Sequence, residues 1–368
     1  MHTEYFSITI RAPTAATDRV VPREIAAPAL ACPRAPGDTS DLMPIGTDAT
    51  TASDILAAGG VVAIPTETVY GLAASIAHPE AVARVFAIKG RPLGHPLIVH
   101  LARRADLPRY ASVIPAGAQR LADAFWPGPL TMILPRTDAV PELVTGGAAT
   151  VGLRMPDHPL TLDVIARTGA PIAAPSANRF GSVSPTTAAH VAADLGDDVD
   201  YILDGGPCNI GVESTIVEFA DAGNARLLRP GGLAESDLQA VLGAPLGAAA
   251  ADSAPAPGTL ASHYATRAQV IACQPRDLHA VLTRTHGPVA VLTPHSSAGA
   301  VAAFAPAHTC VVADDNLAFA RELYARLREL DATGVNTIVA VLPSPSGLGA
   351  AIIDRLLRAA SPRPREMT

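Results

Sequence analysis

Six short segments carry side chains suited to charged substrates, and none of them holds a nucleophile–base pair. The first is Pro65-Thr66-Glu67-Thr68-Val69-Tyr70-Gly71-Leu72. Two hydroxyls, a carboxylate and a phenol follow directly on a β-branched run. In open α/β sheets ligands sit at such strand ends, although a polar turn capping a strand would look the same. The second is Lys89-Gly90-Arg91-Pro92, followed by His95, Pro96 and His100. A Lys and an Arg one residue apart can clamp an anion: arginine forks onto phosphate or carboxylate, and lysine supplies a point charge. The same pair at a helix end also complements the dipole there, worth ~0.3–1 kcal/mol. Gly90 and Pro92 can shape the backbone so that both cations face one cavity. His95 and His100 fit either a site or ordinary surface.

The third segment, Trp126-Pro127-Gly128-Pro129-Leu130-Thr131, holds the only Trp and reads as a rigid turn with a packed indole, able to form a wall of a site. The fourth is Thr150-Val151-Gly152-Leu153-Arg154-Met155-Pro156. On a strand Thr150, Gly152 and Arg154 share a face, because the period is two. An arginine on an otherwise apolar strand needs an anionic partner, either a structural carboxylate or a ligand. The fifth is Ala173-Ala174-Pro175-Ser176-Ala177-Asn178, with Gly181 and Ser184-Pro185 after it. Small residues and hydroxyls in a loop allow close backbone approach, and such loops can hold phosphates through N–H groups. A tight structural loop has the same composition, and the GxxxxGK[ST] phosphate loop is absent. The sixth is Gly211-Val212-Glu213-Ser214-Thr215-Ile216-Val217 with Leu227-Leu228-Arg229-Pro230-Gly231, polar groups at two strand ends.

Regular elements must position these groups. Val61–Ile64 is a compact strand closed by Pro65. Glu80–Lys89 has apolar residues at Val82, Val85, Phe86 and Ile88, a helical spacing that stops at Gly90. Further strands are expected at Leu97–Leu101, Leu130–Leu134, Val151–Met155, Pro171–Ala174, Tyr201–Leu203, Thr215–Phe219 and Arg226–Leu228. Helices are expected at Ser53–Ala58, Ala116–Phe125, Leu160–Arg167, Thr186–Leu195 and Glu235–Leu242. Together these predict one α/β domain over residues 49–243. Residues 244–267 have linker chemistry, Ala-, Pro- and Gly-rich at first and ending in Pro257-Gly258-Thr259-Leu260-Ala261-Ser262-His263-Tyr264. Strands at Gln269–Ala272, Val289–Leu292, Thr309–Val312 and Thr337–Val341 then alternate with helices at Arg276–Thr283, Leu317–Leu330 and Leu348–Ala359. That alternation predicts a smaller parallel α/β sheet over 268–362, with a tail at 363–368. No GxGxxG follows its first strand. Residues 1–48 show no sustained period and no apolar core of a secretory signal, and they read as a disordered extension, or as the product of an early start with Met43 the true first residue.

The 368 residues suffice for two domains, and the 49% apolar content fits packed cores. No apolar run reaches the ~18 residues of a membrane span. A net charge of -7 excludes a broad basic face for nucleic acid while allowing a local basic pocket. Cys32, Cys208, Cys273 and Cys310 form no CxxC, so a disulfide framework or zinc site is not expected, and reduced thiols of the cytoplasm fit best. Of 27 basic residues only Lys89 is a lysine, which makes its retention worth asking about.

PTETVYGL, KGRP, WPGPLT, VGLRMP, APSAN, ESTIV and LRPG occur in this order, and the chain thereby resembles the threonylcarbamoyl-AMP synthases in their long two-domain form. The stretch from Pro257 to Tyr264 resembles that family's interdomain linker, and Gly347-Leu348-Gly349 with Asp354-Arg355-Leu356 resembles the end of its C-terminal domain. The resemblance implies an α/β fold: a YrdC-like twisted mixed sheet with flanking helices, plus a smaller Rossmann-like domain, with the linker covering the active site. It implies condensation of L-threonine, bicarbonate or CO2, and ATP to threonylcarbamoyl-AMP and pyrophosphate. The product serves N6-threonylcarbamoyladenosine formation next to the tRNA anticodon. By resemblance, threonine contacts Thr68, His100, Arg154, Ala174 and Ser214. ATP contacts Arg91, His95, Thr150, Ser176, Ser184, Arg229 and Tyr264, and Lys89, Arg91, Ser176 and Asn178 form a catalytic tetrad. Mg2+ is expected to arrive with ATP, without protein ligands. A tRNA threonylcarbamoyl-transferase is the implied downstream partner, with no membrane contact and at most weak tRNA binding. His95 departs from the family's usual Asn. It can still donate to phosphate or ribose, but its charge changes near neutral pH. Two alternatives are a carbamoyl-transfer enzyme of the same domain type and a non-enzymatic RNA-binding or regulatory module. The first lacks its usual extra metal-binding motifs here, and the charge of -7 speaks against the second.

Overall fold

Eleven short strands, several rich in β-branched residues, build the larger sheet of the computed structural model, which describes residues 45–219, 224–259 and 263–362. In chain order these are β1 (Ile45–Gly46), β2 (Val62–Ile64), β3 (Gly71–Ser75), β4 (Ile98–His100), β5 (Leu130–Pro135), β6 (Thr150–Arg154), β7 (Ile172–Ala173), β8 (Tyr201–Leu203), β9 (Thr215–Phe219), β10 (Ala225–Arg229) and β11 (Gly247–Ala248). Their order across the sheet is β1-β8-β2-β3-β7-β4-β6-β5-β9-β10-β11, with parallel and antiparallel pairs mixed. The expected extension lies outside the described residues up to residue 44. Residues 45–48, however, belong to the fold: β1 pairs with β8, and the Asp48 carboxylate accepts the amides of Thr50 and Thr51 at the next helix start. Leu260, Ala261, Ser262 and residues 363–368 also lie outside the described residues.

The helices of this part are α1 (Ala49–Ala57), α2 (Pro79–Lys89), α3 (Leu107–Tyr110), α4 (Ala116–Phe125), α5 (Glu142–Thr145), α6 (Pro159–Thr168), α7 (Ala188–Leu195) and α8 (Glu235–Leu242). One face of the sheet buries Tyr70, Val85, Phe86, Leu121 and Trp126, and the other buries Leu56, Ile64, Val164, Ile165 and Leu203. α2 ends as its sequence predicts. Gly90 takes φ 63°, where a side chain is disfavoured, and the Arg91 amide closes the last turn on the Phe86 carbonyl. Lys89 is thus the last helical residue, and Arg91 is released from the helix axis.

The smaller sheet is wholly parallel: β12 (Gln269–Cys273), β13 (Val289–Pro294), β14 (His308–Val312) and β15 (Thr337–Val341), in the order β12-β15-β13-β14. α9 (Leu278–Arg284) and α10 (Ala298–Ala302) pack on one face, α11 (Asn316–Ala332) and α12 (Gly349–Ala360) on the other. The core under α11 and α12 continues into Val69, Val183 and Val212 from loops of the larger sheet. Backbone contact there is close. A Cβ on Gly211 (φ 84°) would stand 2.3 Å from the Ala320 carbonyl oxygen, so only glycine fits. Arg328 of α11 grips Asp194 of α7 at 2.8 Å, and Arg321 donates to the Asn209 carbonyl at 2.8 Å. Gly71–Ser75, for which no element was expected, is a strand, and the segment read as linker is corrected in part: it adds strand β11 to the edge of the larger sheet. No described helix is long and apolar enough to cross a membrane.

Candidate active site

Parallel pairing of β4 with β6 sets His100 beside Arg154 at the sheet's middle. Both side chains are buried and line one cavity of about 60 Å³. Arg91, Ala174, Ser176, Ser214, Arg229 and Tyr264 share that lining. A second compartment of about 230 Å³ adjoins it, walled by His95, Phe180 and the chain from Pro255 to Thr259, and it shares Arg91, Gly258 and His263 with the first. The two together form a space roofed by the linker.

The anionic partner that Arg154 required is Glu67, at 2.8 Å, with both side chains 5% exposed. Arg154 also donates to the Thr68 hydroxyl at 2.9 Å, and Thr68 is bonded to Thr66 at 2.9 Å. Thr68 therefore stands behind Arg154 and is outside the cavity lining. The Arg154 Nε is buried without a protein partner. Arg229 donates twice to the Ser214 carbonyl (2.8 and 3.2 Å) and once to the linker carbonyl of Pro257 at 2.9 Å. The Ser214 hydroxyl meets Thr131 of the WPGPLT segment at 2.7 Å. Trp126 itself is core, its indole N–H satisfied by the Leu130 carbonyl. Arg91 donates to the Pro96 carbonyl at 2.9 Å and lies over the Phe180 ring, 5.6 Å from its centre.

Lys89 is placed differently from expectation. It lines neither compartment, and its Nζ donates to the carbonyls of Ser176 (2.5 Å) and Asn178 (2.6 Å). It pins the loop that carries Ser176 and does not share a cavity with Arg91. The Asn178 amide likewise bonds within its loop, to the Arg179 and Ser182 carbonyls. Ser184 is fully buried and donates to Glu213 at 2.7 Å, and Thr150 at the start of β6 lies outside both compartments. Of the expected contacts, the cavity thus brings together Arg91, His100, Arg154, Ala174, Ser176, Ser214, Arg229 and Tyr264, with His95 next door.

Several groups were not anticipated. His263 joins the lining, packed edge-on between Phe180 and Tyr264. Glu213 also faces the cavity, and its carboxylate accepts from Ser184, Tyr324 and Arg355. Burial alone would raise its pKa, but Arg355, then Arg229 and the Ser184 hydroxyl, hold it down at about 2. Tyr264 takes φ 61° and is wedged between the Tyr324 ring (5.6 Å) and the Arg355 guanidinium (5.2 Å). Arg91 is held down at about 10, mainly by burial.

Burial pushes both His100 and His263 down to about 3. Since the His100 Nδ1 faces the Ile98 carbonyl at 3.2 Å, the neutral ring carries its proton there, leaving Nε2 as an acceptor. In the unfolded chain each ring titrates near ~6.5. Between about pH 6.5 and 3 the unfolded chain binds protons that the folded one refuses, so stability falls as pH drops. The slope approaches about 1.4 kcal/mol per pH unit for each ring. His158 and His190, also depressed by burial, add in the same direction. Glu213 adds its loss only below about pH 4.5, its ordinary value. Thermal melts are therefore expected to lose stability steadily from pH 6.5 to 5. A flat melting temperature over that range would show the rings protonating in place.

Three arginines, a neutral histidine acceptor and small backbone-presenting residues suit this space to anionic substrates bearing an amine or hydroxyl. Comparison with known proteins agrees. A family model described as "Telomere recombination" matches residues 54–231, and one described as "Threonylcarbamoyl-AMP synthase, C-terminal domain" matches residues 233–361. A threonylcarbamoyl-AMP synthase of Pyrococcus abyssi is 40% identical, over 85% of this chain and 94% of its own. One of Bacillus subtilis is 42% identical, over 85% and 92%. The crystal structure of P. abyssi Sua5 complexed with L-threonine superposes with a TM-score of 0.79 at 38% identity, covering 87% of this chain and 97% of that one. The larger mixed sheet and the smaller parallel one are the fold expected from the resemblance. The chain belongs to the threonylcarbamoyl-AMP synthase family of enzymes, in its long form that carries both sheets.

Proposed function

We propose that the chain condenses L-threonine, bicarbonate or CO2, and ATP into threonylcarbamoyl-AMP, releasing pyrophosphate. The observation that carries this reading is the buried Arg154 Nε, unpartnered in the wall of a cavity that Arg91 and Arg229 also line. In this reading the inner compartment takes threonine. Its carboxylate meets Arg154, its polar groups meet His100 Nε2 and Ser214, and Ala174 presents backbone. The nucleotide takes the adjoining compartment against Arg91 and His95 and reaches Ser176 and Arg229 in the lining of the inner one, with Tyr264 closing from the linker. Thr68 supports Arg154 from behind, Lys89 and Asn178 hold the Ser176 loop, and Ser184 acts through Glu213. Thr150 has no role here that its position supports.

The chemistry follows from the charges. The free amine of threonine adds to CO2, forming the N–C bond, and gives up a proton to solvent. A carbamate oxygen then attacks the α-phosphorus in line, and the bond to the β-phosphate oxygen breaks. Two anions must approach each other, so fixed cationic charge at the meeting point lowers the barrier. The arginines supply it without reorganising. Water exclusion by the linker protects the labile carbamate. Mg2+ is expected with ATP. The nearby carboxylates, Glu67 and Glu213, are both engaged by arginines. The donors therefore do not form a cage for the ion. The product would pass to a tRNA threonylcarbamoyl-transferase. The reading is tested by following pyrophosphate release from ATP with bicarbonate and each amino acid in turn. Release that depends on threonine and bicarbonate is expected, and release indifferent to both would overturn it.

A further inference from the structure

Glu213 sets a carboxylate in the wall of a cavity whose substrates, in the function proposed above, are anions. Left uncancelled it would repel both the triphosphate and the carbamate. Arg229, the nearest lining cation in the chain, also favours the Glu213 carboxylate, but less than Arg355 does, and its hydrogen bonds go to the Ser214 and Pro257 carbonyls. The ion pair to Glu213 comes from the other sheet: Arg355 Nε on α12 donates to Glu213 Oε2 at 2.8 Å, from a side chain with no exposure at all. Arg355 also meets Asp354 at 2.5 Å, but Asp354 is itself paired with Arg358 at 2.9 Å, so the charge of Arg355 remains for Glu213. The same guanidinium lies over the Tyr264 ring at 5.2 Å, and Tyr324 of α11 both stacks on that ring and donates to Glu213.

We propose that Arg355 is a positioning residue for the reaction: it cancels the Glu213 charge in the cavity wall and seats Tyr264. The site becomes charge-complete only when α11 and α12 dock. The pair is more than glue between two sheets. Apolar residues of similar shape would join them without desolvating two charges, and a glue would not need one of its charges to face the cavity. The proposal rests on the ATP-dependent reading, and the experiment separates the two.

The full chain and its variants are assayed for threonine-dependent pyrophosphate release, with melting curves on each. Arg355→Met is expected to raise KM for ATP at least tenfold while kcat changes less than about threefold. The double variant Glu213→Gln/Arg355→Met, which removes both charges, is expected to bring that KM back to within about threefold of wild type. An unchanged KM in Arg355→Met overturns the proposal. So does a double variant no better than the single one, because then the pair only holds the sheets together. Should Arg355→Met fail to fold, Glu213→Gln alone decides: with Arg355 uncancelled, KM for ATP falls, and a rise overturns the proposal. A wild type without threonine-dependent release defeats the underlying reading instead.

Discussion

Lys89→Arg is expected to lose at least about 99% of kcat/KM, although it keeps the charge. At ~1.4 kcal/mol per tenfold this asks for about 3 kcal/mol of lost transition-state stabilisation. The cause is geometric. The Lys89 ammonium sits 3% exposed between two loop carbonyls, and a compact head with rotatable protons reaches both. A guanidinium is wide and planar and has no room there. It must push the Ser176 loop outward or turn away and leave both carbonyls unpaired. Lys89→Met shows the second outcome in isolation. Two buried hydrogen bonds to a charged donor, worth roughly 1.5–3 kcal/mol each, disappear. Against an ordinary stability of about 5–15 kcal/mol, that loss of roughly 3–6 kcal/mol leaves a chain from the upper part of the range folded but melting lower. Both variants are checked by pyrophosphate release and by melting temperature. Full activity in Lys89→Arg would show that the lone lysine is an accident of composition.

The second large effect belongs to Arg154. On the proposed role, Arg154→Met raises the KM for threonine at least 100-fold, about 2.7 kcal/mol. It also strands Glu67, a carboxylate only 5% exposed, and removing one partner of a buried pair costs roughly 3–5 kcal/mol. Binding and stability would then fall together and could not be told apart. Glu67→Gln/Arg154→Met separates them. The melting temperature should recover most of its loss, because no buried charge is left alone, while the KM for threonine should stay high. If the double variant regains threonine affinity, Arg154 serves the fold and another group holds the carboxylate.

The pattern of what could be read from sequence has physical reasons. Period-two alternation placed Gly152 and Arg154 on one face, and the strand confirms Arg154 as buried and ion-paired. Gly90 announced the end of α2, and the left-handed φ is there. Gly71–Ser75 escaped because Gly-Leu-Ala-Ala-Ser has no β-branched residue, so only its burial between β2 and β7 makes it a strand. Lys89 was read by its charge as an anion clamp, but its partners are carbonyls 87 and 89 residues away, which no local pattern displays. Glu213 was visible as a polar residue at a strand end, yet its meaning lies in Tyr324 and Arg355, 111 and 142 residues later. Arg355 on its own reads as one more charge on a helix. Contacts within a segment show in the sequence, and contacts that the two sheets make only on docking do not.

The single lysine has a practical side. Amine-directed reagents such as activated esters, aldehydes and acyl donors attack exposed, unprotonated ε-amines. Apart from its α-amino group, the chain offers them one target, and that target is shut inside the fold. The folded surface is therefore nearly blind to acylation, aldehyde crosslinking and amine immobilisation. A label that does arrive at Lys89 reports a molecule whose Ser176 loop has come open.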